Sequence, residues 1–226
     1  MTKHPAQFSD QLLDPLSKAI RRFEVDGHVD VVDPFCGPGV KLYDLCQLQS
    51  WTLHGMDIEA WDDRADGVSV GDATNEECWI ELTEGLENPV MVTSPTYGNG
   101  LNDSHDAKDD SKRFTYRNAL GRQLNPMNSG RYGIRQGRKA WRTYWRIHSL
   151  AMDYPARMGI PAIINVKAFI HAGEVVDLPS MWEVLLVAKG YYIERVEKVE
   201  TPGIRYGQNA DQRVDYETII SATPDW

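Results

Sequence analysis

The chain has 226 residues, 42% of them hydrophobic, and this length predicts one domain, spanning residues 1–226, with one good-sized core. It contains 24 Lys and Arg against 33 Asp and Glu, and the resulting net charge of -9 is unfavourable for nucleic-acid binding unless the charge is unevenly distributed. No apolar run reaches the length of a membrane span, and the amino terminus lacks an apolar signal region, so the composition indicates a soluble, cytoplasmic protein.

Three cysteines, Cys36, Cys46 and Cys78, are spread along the chain without a Cys-x-x-Cys pair. An odd number in this arrangement argues against a disulfide framework and against a zinc cluster. We therefore expect reduced thiols and no bound metal.

The first predicted element is an amphipathic helix that begins after Ser9. Ser9 is in the position of an N-cap, and the residues at helical spacing on one face are Leu12, Leu13, Leu16, Ala19, Ile20 and Phe23. The pattern predicts a helix that packs on the core through this face.

A β-branched run at residues 28–33 predicts the first strand, and a glycine turn at residues 34–39 separates it from a helical stretch at residues 40–46. Strand, glycine turn and helix in this order form a nucleotide-binding crevice, because glycine lets the backbone approach a ligand and the helix start offers free N–H groups. Lys41 and Leu42 occupy the region of the third glycine of the dinucleotide fingerprint, so a nicotinamide cofactor is disfavoured.

Two further predicted strands each end in a carboxylate. Asp57 closes the run at residues 51–56 and lies 18 residues after Gly39, a position from which an acid accepts the ribose hydroxyls of a nucleotide. Asp72 closes the next short run, at residues 67–71, where the local pattern by itself indicates a turn aspartate.

The apolar run at residues 89–92 predicts a buried strand that opens into a loop with the sequence Ser94-Pro95-Thr96-Tyr97. An exocyclic amine on a base is a poor nucleophile because its lone pair is delocalised into the ring. Two acceptors, such as the Ser94 hydroxyl and the Pro95 carbonyl, can hold its two hydrogens and free that lone pair, while Tyr97 stacks on the base. The alternative is an ordinary turn.

A basic insert at residues 99–148 follows this loop. Between residues 108 and 148 lie eleven of the 24 basic residues and two of the 33 acidic ones, a local charge of +9 that leaves -18 for the rest of the chain. A basic segment on an acidic body is suited to contact phosphates, although a solvated surface loop has the same composition. The cations that we expect to contact nucleic acid are Arg113, Arg117, Arg122, Arg131, Arg135, Arg138, Lys167 and Arg205.

The insert ends in a predicted helix at residues 138–152, whose stripe of Trp141, Tyr144, Trp145 and His148 is typical of a core face. A fifth buried strand is predicted at residues 160–166 and is followed by a loop that carries Lys167 and His171. A helix at residues 178–189 and two strands at residues 191–199 and 216–222, forming an antiparallel hairpin, complete the chain.

The glycine turn, Asp-Pro-Phe-Cys-Gly-Pro-Gly from residue 33, and the Ser-Pro-Thr-Tyr loop resemble motifs of S-adenosylmethionine-dependent DNA amino-methyltransferases, the enzymes that methylate cytosine N4 or adenine N6. The segment His-Pro-Ala-x-Phe at residues 4–8 is similar to one that precedes the first strand in that family. Thr96 departs from the family pattern, which has a second proline there. The resemblance is greatest to small phage-encoded enzymes.

This resemblance implies an α/β, Rossmann-like class I methyltransferase fold, with a seven-stranded, mostly parallel sheet, an antiparallel last strand and a basic insert after the fourth strand. It implies S-adenosylmethionine as cofactor and double-stranded DNA as partner, with a flipped-out target base at the catalytic residues Ser94, Pro95 and Tyr97. Phe8 would lie against the sulfonium and Asp72 beside the adenine amino group. The implied cofactor-binding residues are Phe8, Asp33, Phe35, Cys36, Gly37, Gly39, Asp57, Ile58, Asp72, Ala73 and Ser94.

Other functions remain open at this point. Methylation of cytosine C5 is disfavoured because it needs a thiolate in the catalytic loop, and residues 93–100 contain no cysteine. An RNA guanine-N2 methyltransferase has a similar pair of motifs, and an inactive methyltransferase fold that binds nucleic acid is the non-enzymatic alternative. Ser94 favours cytosine N4 over adenine N6.

Overall fold

The computed structural model describes residues 8–99, 115–201 and 214–225. The strands are β1 Asp30–Asp33, β2 Thr52–Asp57, β3 Val68–Val70, β4 Pro89–Thr93, β5 Ala162–Val166, β6 Phe169–His171, β7 Glu174–Val176, β8 Tyr191–Glu200 and β9 Tyr216–Pro224. The helices are α1 Asp10–Ile20, α2 Val40–Gln49, α3 Glu76–Thr83, α4 Tyr116–Leu120, α5 Arg138–Ala151, α6 Asp153–Arg157 and α7 Leu178–Ala188.

Seven of the strands form one sheet, in the order β3-β2-β1-β4-β5-β9-β8. The first five pair in parallel, and β9 is antiparallel to both β5 and β8. The predicted α/β fold class, with its seven-stranded sheet and antiparallel last strand, is confirmed. The reversal of strand order between β1 and β4 creates a crevice at the carboxyl ends of these strands.

Both faces of the sheet are buried because successive residues of a strand point to opposite sides. Val32 of β1 and Met91 of β4 point to the layer that contains α3, α5 and α7. Val31 of β1 and Val90 of β4 point to the layer of α1 and α2. Accordingly, β1 is buried at all four positions and β4 at its last four, with no alternation between buried and exposed residues.

Helix α1 packs through the predicted face, with Leu12, Leu16 and Ile20 fully buried. The predicted capping role of Ser9 is wrong. Ser9 occupies the N-cap position, but its side chain makes no capping hydrogen bond and its buried hydroxyl has no partner among the described residues. The backbone carbonyl of Ser9 instead accepts the N–H of Leu12.

The segment after β5 is more ordered than the sequence predicted. It forms a separate two-stranded antiparallel hairpin, β6 with β7, and His171 ends its first strand rather than lying in a loop. Ala172 and Gly173 make the turn with φ of 52° and 82°, which is the left-handed pair required by a tight hairpin. In the described part of the chain, no helix is long and apolar enough to cross a membrane.

Candidate active-site cleft

A deep cleft lies at the carboxyl ends of the parallel strands and contains about 1230 Å³ of space free of protein atoms, part of it open to solvent. Its walls include both the glycine turn and the loop at residues 94–97. The two motifs that the sequence places 55 residues or more apart therefore meet at one site. The predicted cofactor residues on the lining are Phe8, Asp33, Phe35, Cys36, Gly39, Asp57, Ile58, Asp72, Ala73 and Ser94, and Gly37 is not on the lining.

The glycine turn is fastened to β2 by backbone hydrogen bonds. The Cys36 N–H donates to the Met56 carbonyl at 3.0 Å, and the Gly37 N–H donates to Asp57 Oδ2 at 2.9 Å. Gly39 has φ of 72°, and a Cβ there would lie 2.7 Å from Val68 Cγ2. This position requires glycine both for its backbone conformation and for the close approach of β3.

Asp57 is held at the tip of β2 by three donors. Its Oδ1 accepts the Glu59 N–H at 2.8 Å and the Trp61 Nε1–H at 3.2 Å, and its Oδ2 accepts the Gly37 N–H. Since a carboxylate has about four acceptor positions, Oδ2 retains room for a ligand hydroxyl. Burial raises the pKa of Asp57 to about 6, against the lowering effect of these three hydrogen bonds.

Asp33 is 2% exposed at the end of β1, and its Oδ1 accepts the Phe35 N–H at 3.0 Å. Burial raises the pKa of this carboxyl group to about 7. A ligand that carries a positive charge or hydroxyl donors would favour its ionised form, because such a ligand replaces the hydration that burial removes.

Asp72 and Phe8 both line the cleft and also make structural contacts. Asp72 Oδ1 accepts both the N–H and the hydroxyl of Thr74 at 2.8 Å, so it shapes a turn, and it also lines the cleft. Phe8 packs partly buried against the core beside α1 and also contributes to the cleft wall.

The loop at residues 94–97 is fixed by hydrogen bonds where the family pattern has a second proline. The Thr96 carbonyl accepts the Tyr144 hydroxyl at 2.6 Å, and Thr96 Oγ1 lies 2.9 Å from Ser129 Oγ. Gly98 follows with φ of 64°, and a Cβ there would lie 2.6 Å from the Trp141 ring. Thr96 lacks the backbone restraint of a proline, but hydrogen bonds to α5 and to the insert hold the loop in place.

Two cleft residues that sequence reasoning missed lie beside Ser94 and Tyr97. Asn165, on β5, donates through Nδ2 to Glu217 Oε2 at 2.8 Å and approaches Ser94 Oγ at 3.4 Å. The Tyr97 hydroxyl donates to the same Glu217 oxygen at 3.2 Å. The sequence signal was limited to Asn165, a polar residue inside the otherwise apolar strand β5, because β9 contains several polar residues besides Glu217.

Several residues of the basic insert also line the cleft, and a buried carboxylate anchors the insert there. Glu59 is 0% exposed, and its Oε1 accepts the Asn125 N–H at 2.6 Å and Asn128 Nδ2 at 3.0 Å. Arg122 Nη1 lies 2.7 Å from Glu59 Oε2. The insert residues on the cleft wall are Asn99, Tyr116, Met127, Asn128 and Ser129.

The cations expected to contact nucleic acid have different surroundings. Arg122 pairs with Glu59, Arg131 Nη1 donates to the Leu124 carbonyl at 3.3 Å, and Lys167 Nζ donates to Thr201 Oγ1 at 3.2 Å. Arg117, Arg135 and Arg138 are exposed. Arg113 and Arg205 lie outside the described residues.

The outer face of α5 carries a cationic row made of Arg138, Lys139, Arg142 and Arg146. All four side chains are exposed, and none forms an ion pair with a residue that the structure describes. The opposite face buries Tyr144, as the aromatic stripe predicted. Groups of three or more His, Cys, Asp or Glu residues able to hold a metal are absent from the described residues.

No protein-family model matches the chain, and no curated protein matches it. Solved structures align at low similarity. TrmN from Thermus thermophilus has a TM-score of 0.45 and 10% identity, with 92% of this chain and 48% of that chain covered, so this chain spans about half the length of TrmN. A methyltransferase from Anabaena variabilis that depends on S-adenosylmethionine has a TM-score of 0.45 and 11% identity, over 99% and 87%.

Geranyl diphosphate methyltransferase, in complex with GPP and sinefungin, aligns with a TM-score of 0.49 and 8% identity, over 94% of this chain and 76% of that chain. Likenesses at this level identify neither a substrate nor a partner. The fold class rests on the strand order itself, which is that of the Rossmann-like methyltransferase fold.

Proposed function

We propose that the protein is an S-adenosylmethionine-dependent DNA methyltransferase that acts on an exocyclic amino group, cytosine N4 or adenine N6, of a flipped-out base. The observation that carries the proposal is the shared cleft, whose walls include the glycine turn, Asp57 and the Ser94 loop together. We propose that residues 1–226 act as one domain, with residues 99–148 recognising the DNA.

The acids of the cleft suit a nucleoside cofactor. Asp57 offers a free acceptor position to the ribose, Asp72 lies at the neighbouring strand end for the adenine amino group, and Asp33 is positioned for a charged group. When bound, S-adenosylmethionine supplies an activated methyl group on a sulfonium. Phe8, on the cleft wall, supports the proposed contact of an aromatic ring with that cation.

At the Ser94 loop, the role proposed for the protein is to align the target base with the methyl group. The Ser94 hydroxyl and the Pro95 carbonyl accept hydrogens from the target amine, which frees the nitrogen lone pair, and the Tyr97 ring stacks on the base. Flipping the base out of the duplex costs a few kcal/mol. Holding the base between these residues offsets that cost and excludes water from the reacting groups.

Transfer of a radioactive methyl group to DNA tests this proposal. The wild-type protein is expected to label DNA on an amino nitrogen, and Ser94→Ala with Tyr97→Ala is expected to reduce the rate by about a hundredfold or more. Asp57→Ala is expected to weaken cofactor binding tenfold or more in calorimetry, since hydrogen bonds to a charged acceptor are lost. Full activity of the double variant would refute the assigned roles.

Two other functions make different predictions in the same experiments. An RNA guanine-N2 methyltransferase would label RNA and leave DNA unlabelled. An inactive nucleic-acid-binding protein would give no heat with S-adenosylmethionine, and Asp57→Ala would behave like the wild type. Sequencing of modified bases in cells that express the chain would identify the base and its sequence context.

A further inference from the structure

The base end of the cleft has a second acceptor group besides the Ser94 loop. Asn165 is 1% exposed and lines the cleft, and its Oδ1 is buried with no hydrogen-bond partner among the described residues. Its amide orientation is fixed by chemistry, because Nδ2 donates to the Glu217 carboxylate, which can only accept. A buried acceptor without a donor is costly, so this oxygen is suited to a donor that arrives with a ligand.

Glu217 lies next to it on β9 and is 9% exposed. Both of its neutral donors, Asn165 Nδ2 and the Tyr97 hydroxyl, reach the same oxygen, Oε2. Oε1 accepts no hydrogen bond from the described residues, and no described cation pairs with the carboxylate. The Glu217 carboxylate, which has no cationic partner among the described residues, therefore lines the same cleft as Ser94 and Tyr97.

We propose that Glu217, positioned by Asn165 and Tyr97, shares with Ser94 Oγ, in a three-centre bond, one of the two hydrogens of the exocyclic amine of the target base, and excludes bases that carry a carbonyl at that position. The inference rests on the proposed function and adds the determinant of its substrate class. A carbonyl oxygen in place of the amine would face the carboxylate and the Asn165 oxygen, and neither of these can donate to it. Sites built to bind a donor reject analogues that lack it, because their own polar groups are then left unpaired.

Glu217→Gln is expected to remove this preference without changing the size of the side chain. The glutamine oxygen is expected to retain the bonds from Asn165 and Tyr97, so its NH2 group takes the place of Oε1. The wall of the site would then present a donor where the wild type presents an acceptor.

The experiment measures binding of DNA in two steps. The base that the wild type methylates is first mapped, and duplexes are made with that base or with its carbonyl-bearing counterpart, uracil for cytosine and hypoxanthine for adenine. In both duplexes the base lies opposite an abasic site, so that neither base is paired and the cost of flipping does not differ through base pairing. Dissociation constants are then measured by fluorescence anisotropy with S-adenosylhomocysteine present. We expect the wild type to prefer the amine-bearing duplex about tenfold or more and Glu217→Gln to lose that preference.

Glu200→Gln is the matched control, because Glu200 is exposed and lies opposite Tyr216, the chain neighbour of Glu217. It should keep the wild-type preference. If Glu217→Gln does not fold, Glu217→Asp is tested instead. It keeps the negative charge but places the carboxylate farther from the base, so it should reduce the preference for the amine-bearing duplex. An undiminished preference in the folded Glu217 variant overturns the inference alone, whereas a wild type that methylates no base overturns the proposed function and the inference with it.

Discussion

The carboxyl group of Asp33 is almost completely enclosed at the end of β1, and burial raises its pKa to about 7. A raised carboxyl pKa means that the folded protein binds this proton more tightly than the unfolded chain does. The stability that the proton contributes is present at acid pH and is lost as the pH rises through about 7.

Cofactor affinity is predicted to change in the opposite direction. If Asp33 must be ionised to bind the charged end of the cofactor, the affinity for S-adenosylmethionine falls by up to tenfold per pH unit below about 7 and is constant above it. Calorimetric titrations between pH 5.5 and 8.5 measure this. Asp33→Asn should bind S-adenosylmethionine weakly, and its affinity should no longer change with pH near 7. Asp62 is an exposed acid outside the cleft, so Asp62→Asn should reproduce the wild-type curve.

Whether a site residue could be predicted depended on how far along the chain it lies from the residue with which it acts. The ribose-binding role of Asp57 was inferred from a short spacing to Gly39, and the structure places both on the cleft. Glu217 lies 120 residues from Tyr97, and the two meet only because β9 inserts between β5 and β8. Short motifs contain no information about that insertion, so the acceptor pair of Asn165 and Glu217 could not be predicted.

The conformation of the loop after β4 depends on the close approach of Gly98 to α5. A Cβ at Gly98 would lie 2.6 Å from Trp141 and 3.1 Å from Tyr144, and φ is 64°. Gly98→Ala therefore has both a backbone cost of about 1 kcal/mol and a steric cost of about 1–3 kcal/mol.

We predict that Gly98→Ala lowers the free energy of unfolding by about 2–4 kcal/mol, measured by urea denaturation. Gly85→Ala is the control, because Gly85 has φ of 75° but no atom within 4 Å of an added Cβ. It should lose only the backbone component, about 1 kcal/mol. Equal losses in the two variants would show that α5 does not constrain the loop.

Elements with a long apolar pattern were predicted well, and short ones were not. The sequence predicted α5 at residues 138–152 and α7 at residues 178–189, within one residue of the observed ends. It missed the hairpin of β6 and β7, whose strands have three residues each. Three residues are too few to show an alternating pattern, and the hairpin was visible only in its Ala-Gly turn.

Across the whole molecule, charge is segregated between an acidic body and the basic insert. The cationic row on α5 lies in the helical layer on one face of the sheet, and α1 packs on the other face. If the row contacts phosphates, its contribution to binding is electrostatic and decreases steeply with salt.

We predict that Arg142→Gln with Arg146→Gln weakens DNA binding uniformly across sequences and reduces the slope of log K against log salt by about 2. The slope is measured by fluorescence anisotropy titrations of DNA at salt concentrations from about 50 to about 200 mM. Lys18→Gln on α1, an exposed cation on the opposite layer, should leave the slope unchanged. An unaltered slope in the double variant would exclude the row from the DNA contact.

The attachment of the insert to Glu59 has a thermodynamic consequence. The Glu59 backbone N–H donates to Asp57 Oδ1. The Glu59 carboxylate accepts hydrogen bonds from Asn125 and Asn128 of the insert and pairs with Arg122. A nucleoside bound at Asp57 and DNA bound at the insert would thus both depend on Glu59. We expect each ligand to raise the binding affinity of the other by the same factor. Since S-adenosylmethionine and S-adenosylhomocysteine contain the same nucleoside, this coupling is expected to strengthen DNA binding before and after methyl transfer alike.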